Sequence, residues 1–527
     1  MRFDSLAPIE RDEAEPFSIE DEFARRRDLS WVRLAPGRRY FETEEGEPFL
    51  IIGQNDALTW PELEGLLGRR DVPAVDQHLG WLRTHGVTTL RVMLEYVGDG
   101  LYLEHRPGEF DPVTVQAIDD LIVLCEKHGL RLLLTPFDTF FTWVMWDEHP
   151  YNALRGGPCQ RCLDLLTHAD GMTAVKRRVS FAVERWGGSG AVFAWDLWNE
   201  LGHDHGVAAE AIDTTIARTL GMVISELSAH VREIERRCFG KVHLQTVSHF
   251  GAEPKGPLAD LIFRHPDLDF ATTHIYEVGA IDAPTNTVAA ADAMARWVRH
   301  ALSEIRDGRP FTDSETGPIH TFKDLGITLP DAFDMSYFRH MSWAHLASGG
   351  AGGGMRWPNR HPHSLTPGMR HAQGVMADFA QLVDWSNFAS CNISAVVRAH
   401  PEELLVYACS DKTQAIAWVL RARDQLESNG ELPFRPLLRG ATVALPPMAP
   451  GNYSVTFVET ANGHTLAESV MSTDGGEFQL KLPPLRHELA IAVRWIGNPR
   501  ASKLSRPSLK EKRPAERLIR SDFVSPM

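Results

Sequence analysis

Eight short apolar runs, each trailed by a longer stretch of helical periodicity, occupy residues 50–357 of this 527-residue chain. The runs are LIIGQN (50–55), TTLRVML (88–94), LRLLLTP (130–136), AVFAWDLW (191–198), KVHLQTV (241–247), DFATTHIY (269–276), RPFTDSE (309–315) and GGGMRW (352–357). Strands that are apolar nearly throughout, separated by helices, call for a parallel sheet covered on both faces. The helical stretches carry their own punctuation. DPVTVQAIDDLIVLCEKHG sets Asp111 as N-cap, Pro112 at the first helical position and Gly129 as stop, and AVDQHLGWLRTHG runs to Gly86. Eight such units predict a closed (β/α)₈ TIM barrel of the α/β class. An open doubly wound sheet fits less well, because no glycine-rich phosphate loop follows the first run.

Beyond residue 390 the texture changes. ELLVYACS, QAIAWVLR, ATVALPP, NYSVTFVET, FQLKLPP and LAIAVRWIG are short strands divided by Gly, Pro and Asn, which predicts a small C-terminal β-sandwich. The expected organisation is an N-terminal extension (1–39) packing on the barrel, the barrel (40–388), the sandwich (389–497) and a basic, polar tail (498–527).

A net charge of -16 argues against nucleic acid as a partner, since a phosphate backbone needs a basic surface. No run approaches the roughly 20 apolar residues that cross a membrane. MRFDSLAPIERDEAEPF lacks the apolar core of a secretory signal, so a cytoplasmic address is expected. Nothing in the sequence sets an oligomeric state. Cys159 and Cys162 have ligand-like spacing, but no second pair stands at zinc-finger distance, and reduced thiols are the expectation.

In a barrel of this kind, chemistry sits where strands end. Asn199 and Glu200 close the fourth run and Glu315 closes the seventh; Arg91 lies on the second, His274 and Tyr276 end the sixth, and Trp357 ends the eighth. Two carboxyl groups facing each other across one mouth are the apparatus of glycoside hydrolysis, with one protonated to assist the leaving oxygen and one ionised to attack. Glu200, behind Trp195 and Trp198, is the expected raised acid. Glu315 is expected to be held ionised by Arg91 and the Tyr276 hydroxyl.

This pattern resembles the clan A glycoside hydrolases, and family 5 most closely. The resemblance covers about residues 40 to 385 and rests on Asn199-Glu200, Glu315, His274-Ile275-Tyr276, Trp357 and the opening YFETEEGEPFLIIGQN. It implies a retaining β-glycoside hydrolase with Glu200 as acid/base and Glu315 as nucleophile. It also implies a β-linked sugar as partner, with no cofactor and no metal. Glucosides, mannosides and related small oligosaccharides all fit, and a cytoplasmic address favours exo action. One departure stands out: many family 5 members carry a His near the end of the third strand, where this chain has LLLTPFDTFF. Asp138 or a neighbouring aromatic is expected to fill that space, and Trp143, Trp146, Asp147 and Tyr151 are candidate sugar contacts.

Two other readings compete. His203 and His205 in GHDHG and His361 and His363 in RHPH suggest a metal-dependent hydrolase, although neither pair has an evident carboxylate partner at a strand end. A barrel that binds carbohydrate without turning it over is the third.

Overall fold

The computed structural model describes residues 29–37, 39–98, 100–202, 214–319, 329–360, 362–422 and 436–497. His203, His205 and His361, the tail beyond 497 and the extension before 29 lie outside the described residues.

Eight parallel strands, β1 (Ile51–Asp56), β2 (Thr89–Met93), β3 (Arg131–Thr135), β4 (Val192–Asp196), β5 (Leu244–Thr246), β6 (Ala271–Ile275), β7 (Phe311–Thr316) and β8 (Gly352–Arg356), form one sheet ordered β5-β4-β3-β2-β1-β8-β7-β6. Backbone bonds from Asp269 N to the Gln245 oxygen and from His274 N to the His249 oxygen, each 2.9 Å, join the two ends of that order. Every residue of these strands is buried, as apolar runs enclosed on both faces require. The strands crowd closely enough that a Cβ at Gly53 would stand 1.8 Å from the Thr89 carbonyl oxygen, so only glycine fits there.

A helix follows each strand: α1 (Val72–Thr84), α2 (Pro112–His128), α3 (Ala169–Trp186), α4 (Thr214–Phe239), α5 (Pro257–Phe263), α6 (Thr287–Glu304), α7 (Asp331–Ala347) and α8 (Pro367–Ala380). Their ends obey local chemistry. Asp111 accepts from Thr114 N at 2.7 Å at the start of α2, and Gly129, left-handed at φ 76°, stops it.

At the base of the barrel, Val32–Leu34, Phe41–Thr43 and Pro48–Phe49 pair as an antiparallel sheet that runs across the expected boundary at residues 39 and 40. Phe41 and Phe49 meet Phe193 at 5.0 and 5.2 Å and close the core from below.

The C-terminal region is two antiparallel sheets. The larger contains β9 (Cys391–Asn392), β11 (Leu404–Ser410), β12 (Gln414–Arg421), β17 (Glu488–Gly497), β14 (Gly451–Val458) and β15 (Thr465–Thr473). The smaller contains β10 (Arg398–His400), β13 (Thr442–Leu445) and β16 (Phe478–Lys481). On β12, Ala415, Ala417 and Val419 enter the sandwich core, while Ile416, Trp418 and Leu420 join the barrel core. The two-residue period of a strand thus serves two cores at once.

Candidate active site

The charged strand-end residues meet in one place. Arg91, on β2 and paired in register with Asn55 of β1, is buried and extends its guanidinium across the barrel interior. Its Nη1 donates to Glu315 Oε1 at 2.6 Å and to Asn55 Oδ1 at 2.9 Å; its Nη2 donates to Asp196 Oδ2 at 2.8 Å and to Asn199 Oδ1 at 2.5 Å. One buried cation is therefore shared between two carboxylates and two amide oxygens, which compensates a charge that would otherwise be costly to bury.

Glu315 reaches this position through a slip in register. Thr273 of β6 stands opposite Asp313, yet the next residue, His274, stands opposite Glu315, leaving Ser314 as the extra residue on β7. Glu200 follows β4 in a left-handed conformation (φ 55°) that a glutamate rarely adopts. Bonds on either side hold it there: Asn199 N to the Phe137 oxygen (2.8 Å), Glu200 N to Ser248 Oγ (3.1 Å) and Leu201 N to the Ser248 oxygen (3.1 Å).

His274 Nδ1 lies 2.7 Å from Glu200 Oε1 and 3.3 Å from Glu315 Oε2, and the Tyr276 hydroxyl donates to Glu315 Oε2 at 3.1 Å. Ligating atoms of Glu200, His274 and Glu315 all fall within 4.8 Å of one another. Asn199 donates through Nδ2 to Asp138 Oδ1 at 2.6 Å, and its Oδ1 also accepts from Ser248 Oγ at 3.0 Å.

Burial pushes the Glu200 carboxyl up to about 8, with Arg91 pulling down and Asp196 pushing up. Burial also raises Glu315, against the downward pull of His274 and Arg91. The donors expected for Glu315, Arg91 and the Tyr276 hydroxyl, are in place, and desolvation works against them. The two groups still differ in kind, because Glu315 bonds directly to the Arg91 guanidinium and Glu200 does not. Burial lowers His274 to about 4, so its ring is neutral near pH 7. Burial, and Glu200 after it, holds Asp138 well above the ordinary carboxylate range.

These groups face a cavity of about 340 Å³. Asp138, Asn199, Glu200, Tyr276 and Glu315 line its polar side; Met93, Phe140, Phe141, Phe250, Ile319, Trp60 and Trp357 supply apolar surface. Trp143 and Trp146 do not reach it. Trp143 is exposed, whereas Trp146 stacks on His149 at 5.2 Å and donates to the Gln160 oxygen at 3.3 Å. Asp147 faces solvent, and Tyr151 is a core residue whose hydroxyl donates to Glu104 at 2.6 Å. The short helix Thr139–Val144, capped by Asp138, turns its first aromatics into the cavity and carries Trp143 past it.

Sequence reasoning passed over Asn55, Asp56, Asp196 and Ser248. Asn55, Asp56 and Asp196 are polar residues inside or closing an apolar strand, which is the signal that had singled out Glu200.

The Glu200–His274–Glu315 cluster is also where three potential metal ligands converge among the described residues. Its electrostatics favour proton chemistry instead. The Arg91 charge already sits on Glu315, and His274 already bonds Glu200. His363 lines the cavity but turns Nδ1 to the Pro358 oxygen at 3.1 Å. Cys159 and Cys162 are free and buried, and burial pushes the Cys159 thiol up to about 11, which makes it inert.

No protein-family model matches the chain. It is 23% identical over 331 residues to a mannan endo-1,4-beta-mannosidase of Oryza sativa, spanning 56% of this chain and 70% of that protein. A second mannan endo-1,4-beta-mannosidase, from Arabidopsis thaliana, is 23% identical over 364 residues and covers 60% of this chain and 76% of its own. A crystal structure of a family 5 glycoside hydrolase from Bacteroides vulgatus superposes with a TM-score of 0.59 at 12% identity, covering 89% of this chain and 96% of its own. Another solved glycoside hydrolase gives 0.57 at 13% identity over 89% and 97%. The chain resembles the family 5 glycoside hydrolases. At these identities the structural likeness establishes the barrel and its appended sheets, and the chemistry must be argued from the site itself.

Proposed function

We propose that the protein is a retaining β-glycoside hydrolase acting by double displacement, with Glu315 as nucleophile and Glu200 as acid/base. The observation that carries this reading is that oxygens of two buried carboxyl groups, one of them bonded to the Arg91 guanidinium, lie within 4.8 Å of each other beside one cavity. Retaining enzymes hold the pair at about 5–5.5 Å, and inverting ones at roughly 6.5–9.5 Å to admit a water. In the first step the Glu315 carboxylate bonds to the anomeric carbon as the glycosidic oxygen leaves with the Glu200 proton. In the second, Glu200 takes a proton from water, the oxygen of that water bonds to the anomeric carbon, and the Glu315 ester bond breaks.

The described relatives point to β-mannosides first, with β-glucosides and short β-linked oligosaccharides sharing the same requirements. Exo action is supported by the small cavity, about 340 Å³ where ligand sites span roughly 300–1,000 Å³, and opposed by the endo action named for both mannosidases.

NMR of the first-formed product from nitrophenyl β-mannoside and β-glucoside tests the reading. The β-anomer should appear first and then mutarotate. An α-anomer formed first would establish inversion, and no release from any aryl β-glycoside would remove the hydrolase assignment.

A further inference from the structure

We propose that Asp56 determines substrate specificity: its carboxyl binds one hydroxyl of the sugar held in the cavity. The proposal rests on the reading of that cavity as a glycosidase site. Asp56 closes β1, is 5% exposed, and is part of the cavity lining. Its Oδ1 accepts from Ala57 N at 2.8 Å, while its Oδ2 is buried with no partner among the described residues. Buried polar atoms without partners call for an explanation, and this one belongs to a residue that lines the cavity.

The neighbouring strand supplies an independent observation. β8 pairs with β1, Arg356 standing opposite Gln54, and Trp357, the next residue, lines the same cavity as Asp56. The Trp357 indole Nε1 is likewise buried with no partner among the described residues. Trp60, four residues past Asp56, meets Trp357 edge-on with centroids 5.2 Å apart. The residues of one wall thus carry two polar atoms without a partner among the described residues, set beside aromatic surface. A pyranose has the matching chemistry, with hydroxyls around its rim and C–H groups on its faces. Burial, and Glu62 after it, keeps the Asp56 carboxyl well above the ordinary range against the pull of Arg370.

The test compares kcat/KM of the wild type and of Asp56→Ala on nitrophenyl β-mannoside or β-glucoside, whichever the wild type turns over, and on the 3-, 4- and 6-deoxy analogues. One deoxy position should cost the wild type about 10- to 100-fold. Asp56→Ala should lose a similar factor on the parent sugar and then be indifferent to that position. An equal loss on every analogue, or a wild type that no single deoxy position slows tenfold, overturns the proposal. Should Asp56→Ala fail to fold, Asp56→Leu keeps the side-chain shape and is judged by the same criterion. If the wild type turns over no aryl β-glycoside, the glycosidase reading has failed separately. Tryptophan fluorescence titrations with methyl β-mannoside and methyl β-glucoside then decide: tenfold weaker binding by the variant supports a hydroxyl contact, and equal or absent binding overturns it.

Discussion

At the scale of single residues, two glutamates sit in different company: Glu315 is bonded to Arg91 and Glu200 to His274. In the proposed mechanism Glu200 acts as an acid only while it holds its proton, and burial places that proton's loss at about 8. Activity should therefore fall as pH rises through about 8. The fall should be steep for substrates with poor leaving groups and nearly absent for dinitrophenyl glycosides, which depart without protonation. The acid limb is assigned in the same mechanism to Glu315, which must be ionised to attack; because its carboxyl is raised from 4.5, that limb should lie above the range of an ordinary glutamate. Profiles of kcat/KM against pH on both substrate types check this, and an alkaline limb unaffected by the leaving group would contradict it. Residues of this kind were legible because ionisable groups at the ends of apolar strands are costly and conspicuous. Asn55, which closes the first run, and Asp56, which follows it, carry the same signal, but the run itself does not tell which strand end each one faces.

Elements decide which aromatics the site uses. Tryptophans are natural candidates for stacking on sugars, which is why the sequence points to Trp143 and Trp146. Position along the short helix Thr139–Val144 overrides residue type: Asp138 caps it through the Phe140 N–H at 3.1 Å, and the first turn rather than the last faces the cavity. Phe141→Ala should raise KM several-fold, whereas Trp143→Ala and Trp146→Ala should leave kcat and KM close to wild type on aryl glycosides. Equal losses at all three positions would show that the loop contacts substrate along its whole length. The strands and major helices were readable from apolar runs and caps. The register slip at Ser314, which faces Glu315 with His274, was not, because no local residue preference encodes which residue of a strand goes unpaired.

Across the whole molecule, barrel and sandwich share one boundary. Trp418 is fully buried there and donates to Glu488 Oε2 at 3.0 Å, while Arg339 and His340 of α7 reach Glu488 Oε1 at 2.7 and 3.1 Å. Trp418→Ala should cost about 3–5 kcal/mol by cavity formation and loss of that bond. Calorimetry should show the melting temperature falling while kcat and KM at 25 °C stay unchanged, since Trp418 lies outside the catalytic cavity. A large loss of turnover in the folded variant would instead mean that the sandwich shapes the site. The sandwich could be read from its short strands, but its docking face could not. QAIAWVLR is apolar on both sides, and only the tertiary structure shows which side meets the barrel.

The roles of Glu200 and Glu315 are tested most directly by azide rescue followed by NMR. Glu200→Ala retains the nucleophile, so nitrophenyl β-glycoside should still form the glycosyl-enzyme, and azide, which needs no base, should release the β-glycosyl azide. Glu315→Ala retains the acid but lacks the nucleophile, so azide should attack the sugar once, with inversion, and give the α-azide. The opposite pairing of variants and anomers would mean that the two roles are exchanged, and failure of azide to restore turnover to either variant would contradict the double displacement itself.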